Sequence, residues 1–223
     1  MMSLDIKYVE FSIVLAANSN NPTILNPDFL KYNKIVDETF ELKHAPICTE
    51  PFAQLSYKNG LTVTSQLDKI IFSTRVLEKS VKFGEIADIV KKYVCVIPHV
   101  EYTGLGINPS SVLDTGANSS EDYIINNFFK IEKDDTQIFH TGLNFSLITE
   151  EDATCNIKIK SGKMPNRDEQ RNVIIVNANF HHELIYDMAN KIEKIIETIN
   201  LYKPDIHFFE NNVIQKYFKE KAR

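Results

Sequence analysis

Cysteine is scarce in this 223-residue chain: Cys48, Cys95 and Cys155 are odd in number, widely separated and without a Cys-x-x-Cys pair. That excludes a disulfide framework and a thiolate zinc site, and makes a reducing cytoplasm the expected setting. Charge of one sign never gathers into a long block. With a net formal charge of -5, the chain as a whole has no attraction for phosphates or anionic lipid, so any nucleic-acid role requires a local basic face. Long apolar runs are missing too. Residues 11–17, behind Asp5 and Lys7, have neither the length of a membrane span nor the order of a signal peptide, and neither anchoring nor export is expected. Glycine is thin, seven in all. Gly104 and Gly106 form a Gly-x-Gly after a short strand, but Pro109 stands where a dinucleotide fingerprint has its third glycine and no helix opens there. A bulge or a close backbone approach is the expected meaning. No metal and no cofactor are expected, because no three-ligand set and no phosphate loop can be found.

What is present is material for a core: 43% hydrophobic residues, with 14 Phe and 9 Tyr, suffice for a packed interior. Residues 8–17 read as a strand buried in mid-sheet. Asn26-Pro27-Asp28 has the chemistry of a helix start, with proline at the first helical position and an acid in the first turn, and predicts a helix over about 27–35. Residues 38–50, 52–58 and 61–75 read as three antiparallel strands, the last two joined through the hairpin signal Asn59-Gly60. From Phe83 to Ile97 apolar residues recur at helical spacing until Pro98 stops the pattern.

The second half follows the same order. A strand at 100–108, a helix opened by Ser119-Ser-Glu-Asp122 and running to about 131, and strands at 136–149, 154–160 and 172–180 are expected, with a polar hairpin loop at 161–171. A long helix beginning near Leu184 carries the stripe Ile185, Met188, Ala189, Ile192, Ile195, Ile196 and Ile199 and ends at Pro204. Elements correspond at an offset near 100 residues, with Thr49-Glu50 falling on Thr149-Glu150. A terminal helix over 205–220 has no counterpart in the first half. The expected fold is α+β: one domain over 1–223, with repeats at 5–97 and 98–203, one curved antiparallel sheet of about eight strands, and the helices on one face. Its outline is similar to the saddle of the TATA-binding-protein fold.

Asn21-Pro22-Thr-Ile24, then Asn26-Pro27-Asp-Phe29-Leu30 after a first strand, and Pro98-His99 leading into Gly106-Ile107-Asn108, resemble a group of uncharacterised bacterial proteins of similar length. The resemblance spans residues 8–110 or so. It implies a bacterial or phage-related origin and brings no activity or site residue with it.

Candidate sites are few. His99 and Glu101 face the same side of a strand and offer an acid–base pair, set against a structural hydrogen bond where the repeats join. His181-His182-Glu183 puts two imidazoles at a strand end, but adjacent side chains diverge and no third ligand is in sight. Asn177 and Asn179 share one strand face, as a polar binding site or as the rim of the sheet. Lys158, Lys160, Lys163, Arg167 and Arg171 gather on one strand and its loop, as a solvated hairpin or a nucleic-acid contact. Phe208, Phe209, Tyr217 and Phe218 make the terminal helix either core or the dock for a protein partner.

Because no nucleophile, metal set or phosphate loop is present, the leading expectation is a non-catalytic protein-interaction component whose partner is another protein or a second copy of the chain. Nucleic-acid binding through the sheet face and the 158–171 hairpin is the alternative, and an enzyme using His99 and Glu101 the third. Membrane partners are not expected.

Overall fold

The first strand, β1 (Ile6–Asn18), owes its place to strict alternation: Phe11, Ile13 and Leu15 are fully buried, while Ser12, Val14 and Ala16 face the other way. The structure, a computed structural model, describes residues 6–76, 82–114, 119–129, 141–150, 153–166 and 169–219. The remaining elements in chain order are α1 (Pro27–Tyr32), β2 (Ile47–Cys48), β3 (Phe52–Ser56), β4 (Leu61–Gln66), β5 (Lys69–Arg75), α2 (Phe83–Val96), β6 (Glu101–Leu113), α3 (Ser120–Ile124), β7 (Gly142–Ile148), β8 (Thr154–Asn166), β9 (Glu169–Glu183), α4 (Lys191–Asn200) and α5 (Tyr202–Phe208). α3 and α5 continue into wider, π-type turns at Ile125–Phe129 and Phe209–Lys219. The chain is α+β, with nine strands hydrogen-bonded in the order β2-β3-β4-β5-β1-β6-β9-β8-β7 as one antiparallel sheet. No helix of the described residues is long and apolar enough to cross a membrane.

Contacts gather into two compact units, the first made of residues 10–108 and 180–205, the second of the described residues in 1–9, 109–179 and 206–223. In the first unit α2 covers one sheet face: Phe83 stacks on Phe11 with centroids 4.3 Å apart, and Tyr93 meets Phe72 edge-on at 5.2 Å. α4 packs against α2. The helix start at Asn26 is as expected, its side chain accepting from Phe29 N–H at 2.8 Å with Pro27 at the first helical position. So is the Asn59-Gly60 hairpin, where Gly60 takes a φ of 89° and Tyr57 N–H donates to Leu61 O at 2.8 Å.

Four expectations are corrected. Residues 38–50 hold only the two-residue β2 and a single bridge from Leu42 to Tyr57, because Pro46 and Pro51 deny the ladder its donors. The run 61–75 is two strands, folded at Leu67-Asp68 without any glycine. β8 and β9 continue through most of the expected 161–171 loop, and only Arg167 and Asp168 between them lie outside the described residues. Finally, the long helix starts at Lys191 rather than Leu184, so Ile185 and Met188 are each 82% exposed. Asp187 N–H donates to Asn190 Oδ1 at 2.9 Å and Asn190 N–H to Asp187 O at 3.1 Å, a local turn that competes with helix. Pro204 lies in the first turn of α5, where a missing N–H costs little.

Burial pushes the phenols of Tyr8, Tyr57, Tyr93, Tyr102, Tyr123 and Tyr186 above the ordinary value of 10.0, Tyr57 to about 12. A phenol raised in the folded state stabilises it fully below its unfolded value, and that contribution is lost as pH climbs from about 10 towards the folded value. The chain is therefore expected to show delayed tyrosinate absorbance in an alkaline titration, arriving together with loss of circular dichroism. Smooth ionisation of all nine tyrosines near their ordinary value, with the fold intact, would contradict it.

Candidate functional site

Two enclosed polar devices and two open polar faces are the possibilities. The first device lies at the end of β9, where Val176, Ala178 and Phe180 alternate into the core and carry His182 in after them. His182 is 6% exposed and Asp205, on α5, 1%, and His182 Nε2 meets Asp205 Oδ2 at 2.8 Å. Its neighbours diverge as expected: His181 and Glu183 are exposed, and no group of three metal-ligating side chains occurs among the described residues. An imidazole and carboxylate sealed from solvent suit a clamp between strand end and helix rather than proton exchange with a substrate. The sequence carried a signal for this pair, since alternation along β9 buries His182 and a buried imidazole needs a partner.

The second device holds the join between α2 and β6. Lys191 is 5% exposed and its ammonium donates to Pro98 O at 2.7 Å and Val100 O at 2.6 Å, with the rings of Tyr102 and Tyr186 5.8 and 5.6 Å away. Tyr102 Oη donates to Ile97 O at 3.2 Å, and Tyr186 Oη to Tyr102 O at 2.7 Å. One buried cation and one phenol thus satisfy carbonyls left over where α2 ends, and Tyr186 adds a bond to β6. At the same join, a Cβ on Gly104 would come within 3.2 Å of His181 Cε1, tighter than ordinary contact, and 3.6 Å of His182 O, which is ordinary contact. His99 and Glu101 stand beside this knot but are exposed, and no hydrogen bond joins them among the described residues. The acid–base pair is therefore not assembled among the described residues.

The open faces are different in kind. In the first unit the register places Ser56 opposite Thr62, Thr62 opposite Ser73, and Ser73 opposite Ser12, and Asn108 Nδ2 donates to Ser12 Oγ at 3.3 Å. Hydroxyls and an amide thus cross five neighbouring strands on the face away from α2. In the second unit Ser146 Oγ donates to Asn156 Oδ1 at 2.6 Å, Asn156 Nδ2 to Asn179 Oδ1 at 3.5 Å, and Ser110 Oγ to Asn177 Oδ1 at 2.6 Å. Lys158 stands opposite Asn144 and Lys160 opposite Gly142 on the same face, while Cys155, Ile157 and Ile159 point into the core. Lys158, Lys160 and Lys163 make no ion pair among the described residues, whereas Arg171 meets Asp114 at 3.3 Å across an exposed gap that contributes little. Arg167 lies outside the described residues.

The aromatic terminal segment is core. Phe209 and Phe218 are fully buried together with Val213 and Ile214, Phe209 lying 6.2 Å from the ring of Tyr8 and Phe218 5.6 Å from that of Phe128. Only Phe208 and Tyr217 keep partial exposure, and Tyr217 leans on Phe145 at 5.4 Å. As a dock for a partner, Phe209 and Phe218 are thus corrected: they have no surface to offer. No known protein family matches the chain, and no curated protein matches it.

Proposed function

We propose that this chain is a non-catalytic binding protein whose working surface is the polar sheet face and whose ligand is a nucleic acid. One observation carries the reading. In a chain of net charge -5, lysines without ion-pair partners among the described residues stand beside Ser and Asn side chains on an open face, as Lys158 and Lys160 do beside Asn144, Asn156 and Asn179. Cations to meet phosphates, and short hydroxyl and amide groups to meet sugars and base edges, are what such a face requires. A duplicated plan of the TATA-binding-protein type is supported by the strand order, in which each half places its first strand, β1 or β6, innermost and returns inward from an edge. It is further supported by Thr49 and Thr149, which both sit at hairpin turns, Thr49 N–H bonding Phe52 O at 2.8 Å and Thr149 N–H bonding Ala153 O at 2.9 Å.

Fluorescence anisotropy with a short labelled oligonucleotide tests the reading. Binding is expected to weaken steeply as salt rises, and exchanging Lys158 and Lys160 for alanine to reduce the logarithmic salt slope by about one per lysine. Binding that ignores salt, or none at low salt, would dismiss it. A second reading, pairing with another copy or a protein partner, is favoured by β7. This strand ends the sheet order and shows partly exposed Leu143, Phe145 and Leu147 and a 77% exposed Ile148. Light scattering at micromolar concentration separates the two.

A further inference from the structure

We infer that the first unit holds a site for a phosphoester anion of nucleotide size. It is a cleft of about 410 Å³ lined on the sheet side by Gln54, Ser56, Thr62 and Ser73 and at its rim by Lys43, His44, Arg75 and Glu10. This deepens the nucleic-acid reading and rests on it for the choice of face, but needs no long strand as ligand. The floor is built by register: Ser56, Thr62 and Ser73 are successive partners across β3, β4 and β5, so three hydroxyls lie side by side. One wall is Arg75, paired in register with Glu10 of β1. The other wall is the segment carrying Lys43 and His44, fixed where Leu42 bridges Tyr57 and Lys43 N–H donates to Ser56 O at 2.7 Å.

The charges sort themselves. Lys58, at the cleft's edge, is engaged by Glu41 at 2.5 Å, but Lys43, His44 and Arg75 make no ion pair among the described residues. Glu10 is the one acid on the lining. A guanidinium fork and an ammonium on opposite walls, above a floor of hydroxyl donors, match a tetrahedral oxyanion with several acceptor oxygens better than a flat carboxylate, which the fork alone would saturate. The volume leaves room for more than inorganic phosphate, since it lies in the range of about 300–1,000 Å³ that small-molecule clefts occupy. The carboxylate of Glu10 and the amide oxygen of Gln54, whose Nε2 already donates to Thr64 Oγ1 at 3.0 Å, are placed to accept from hydroxyl or amino groups on the body that carries the phosphate.

Calorimetric titration with uridine monophosphate and with uridine is the test, followed by 5′-phosphorylated and 5′-hydroxyl oligothymidylates. The monophosphate is expected to bind about tenfold or more tightly than the nucleoside, and Arg75→Met to remove that advantage while leaving the melting temperature unchanged. Lys158→Ala should leave it intact. Equal binding of nucleotide and nucleoside, no nucleotide binding, or an advantage that survives Arg75→Met overturns the site. An Arg75-dependent preference for the phosphorylated strand supports the site with a strand end as the source, and nucleotide binding without that preference supports it with a free nucleotide. Nucleotide binding with no oligonucleotide binding keeps the site and dismisses the nucleic-acid reading, whereas lysine-dependent oligonucleotide binding with no nucleotide binding does the reverse.

Discussion

Replacing His182 with alanine is expected to destabilise the protein by about 2–4 kcal/mol, because a buried ring and its contact with Asp205 are lost together. The loss is a large share of the roughly 5–15 kcal/mol that holds an ordinary domain together. Two terms contribute. The imidazole leaves a void under the end of β9, and the Asp205 carboxylate, 1% exposed, loses the Nε2 contact at 2.8 Å. The two terms can be separated. His182→Phe keeps most of the volume and removes only the contact with Asp205, so its deficit set against that of His182→Ala tells the two terms apart. Urea unfolding of His182→Ala and His182→Phe measures this directly. A His182→Ala midpoint indistinguishable from that of the parent chain would mean that the pair clamps nothing.

The pair also marks the limit of what the residues disclosed on their own. Local chemistry was legible wherever a few adjacent residues decide the outcome: Asn26-Pro27 starts α1, Asn59-Gly60 turns β3 into β4, and Pro98 follows the end of α2. Outcomes set by competition were not. The stripe from Ile185 to Ile199 is helical in period, but β9 runs on to Glu183 and the Asp187–Asn190 turn takes the next residues, so only the part from Lys191 coils. Leu67-Asp68 turns the chain without glycine or proline because the strands on either side pair along their whole lengths and leave the turn little choice. Sites suffer most from distance. His182 and Asp205 are 23 residues apart, and Lys191 lies 91 residues from Val100. The cleft residues come from β1, β3, β4, β5 and a loop, brought together by a register that no spacing in the chain records.

Replacing Phe209 with alanine should cost a further class of stability, about 3–5 kcal/mol, because a fully buried ring is lost from the second unit. Its surroundings cannot close over the gap easily. Tyr8 lies 6.2 Å away and is held by its own hydrogen bond to Glu210 at 2.8 Å, so the tyrosine cannot swing into the space without breaking that bond. Tyr217→Ala is the contrasting variant: its ring is only half-buried against Phe145, so the expected loss is about 1 kcal/mol or less. Deleting residues 206–223 removes Phe209, Val213, Ile214 and Phe218 together, all of them buried. The truncated chain is therefore expected to lose cooperative melting in the second unit, with the rings that the segment covers, Phe128 and Phe145 among them, exposed to a hydrophobic dye. Calorimetry and dye fluorescence decide between this and a docking helix. A truncated chain that melts like the full one but sediments as a smaller species would show that the segment joins subunits, and the burial of Phe209 and Phe218 would then need another explanation.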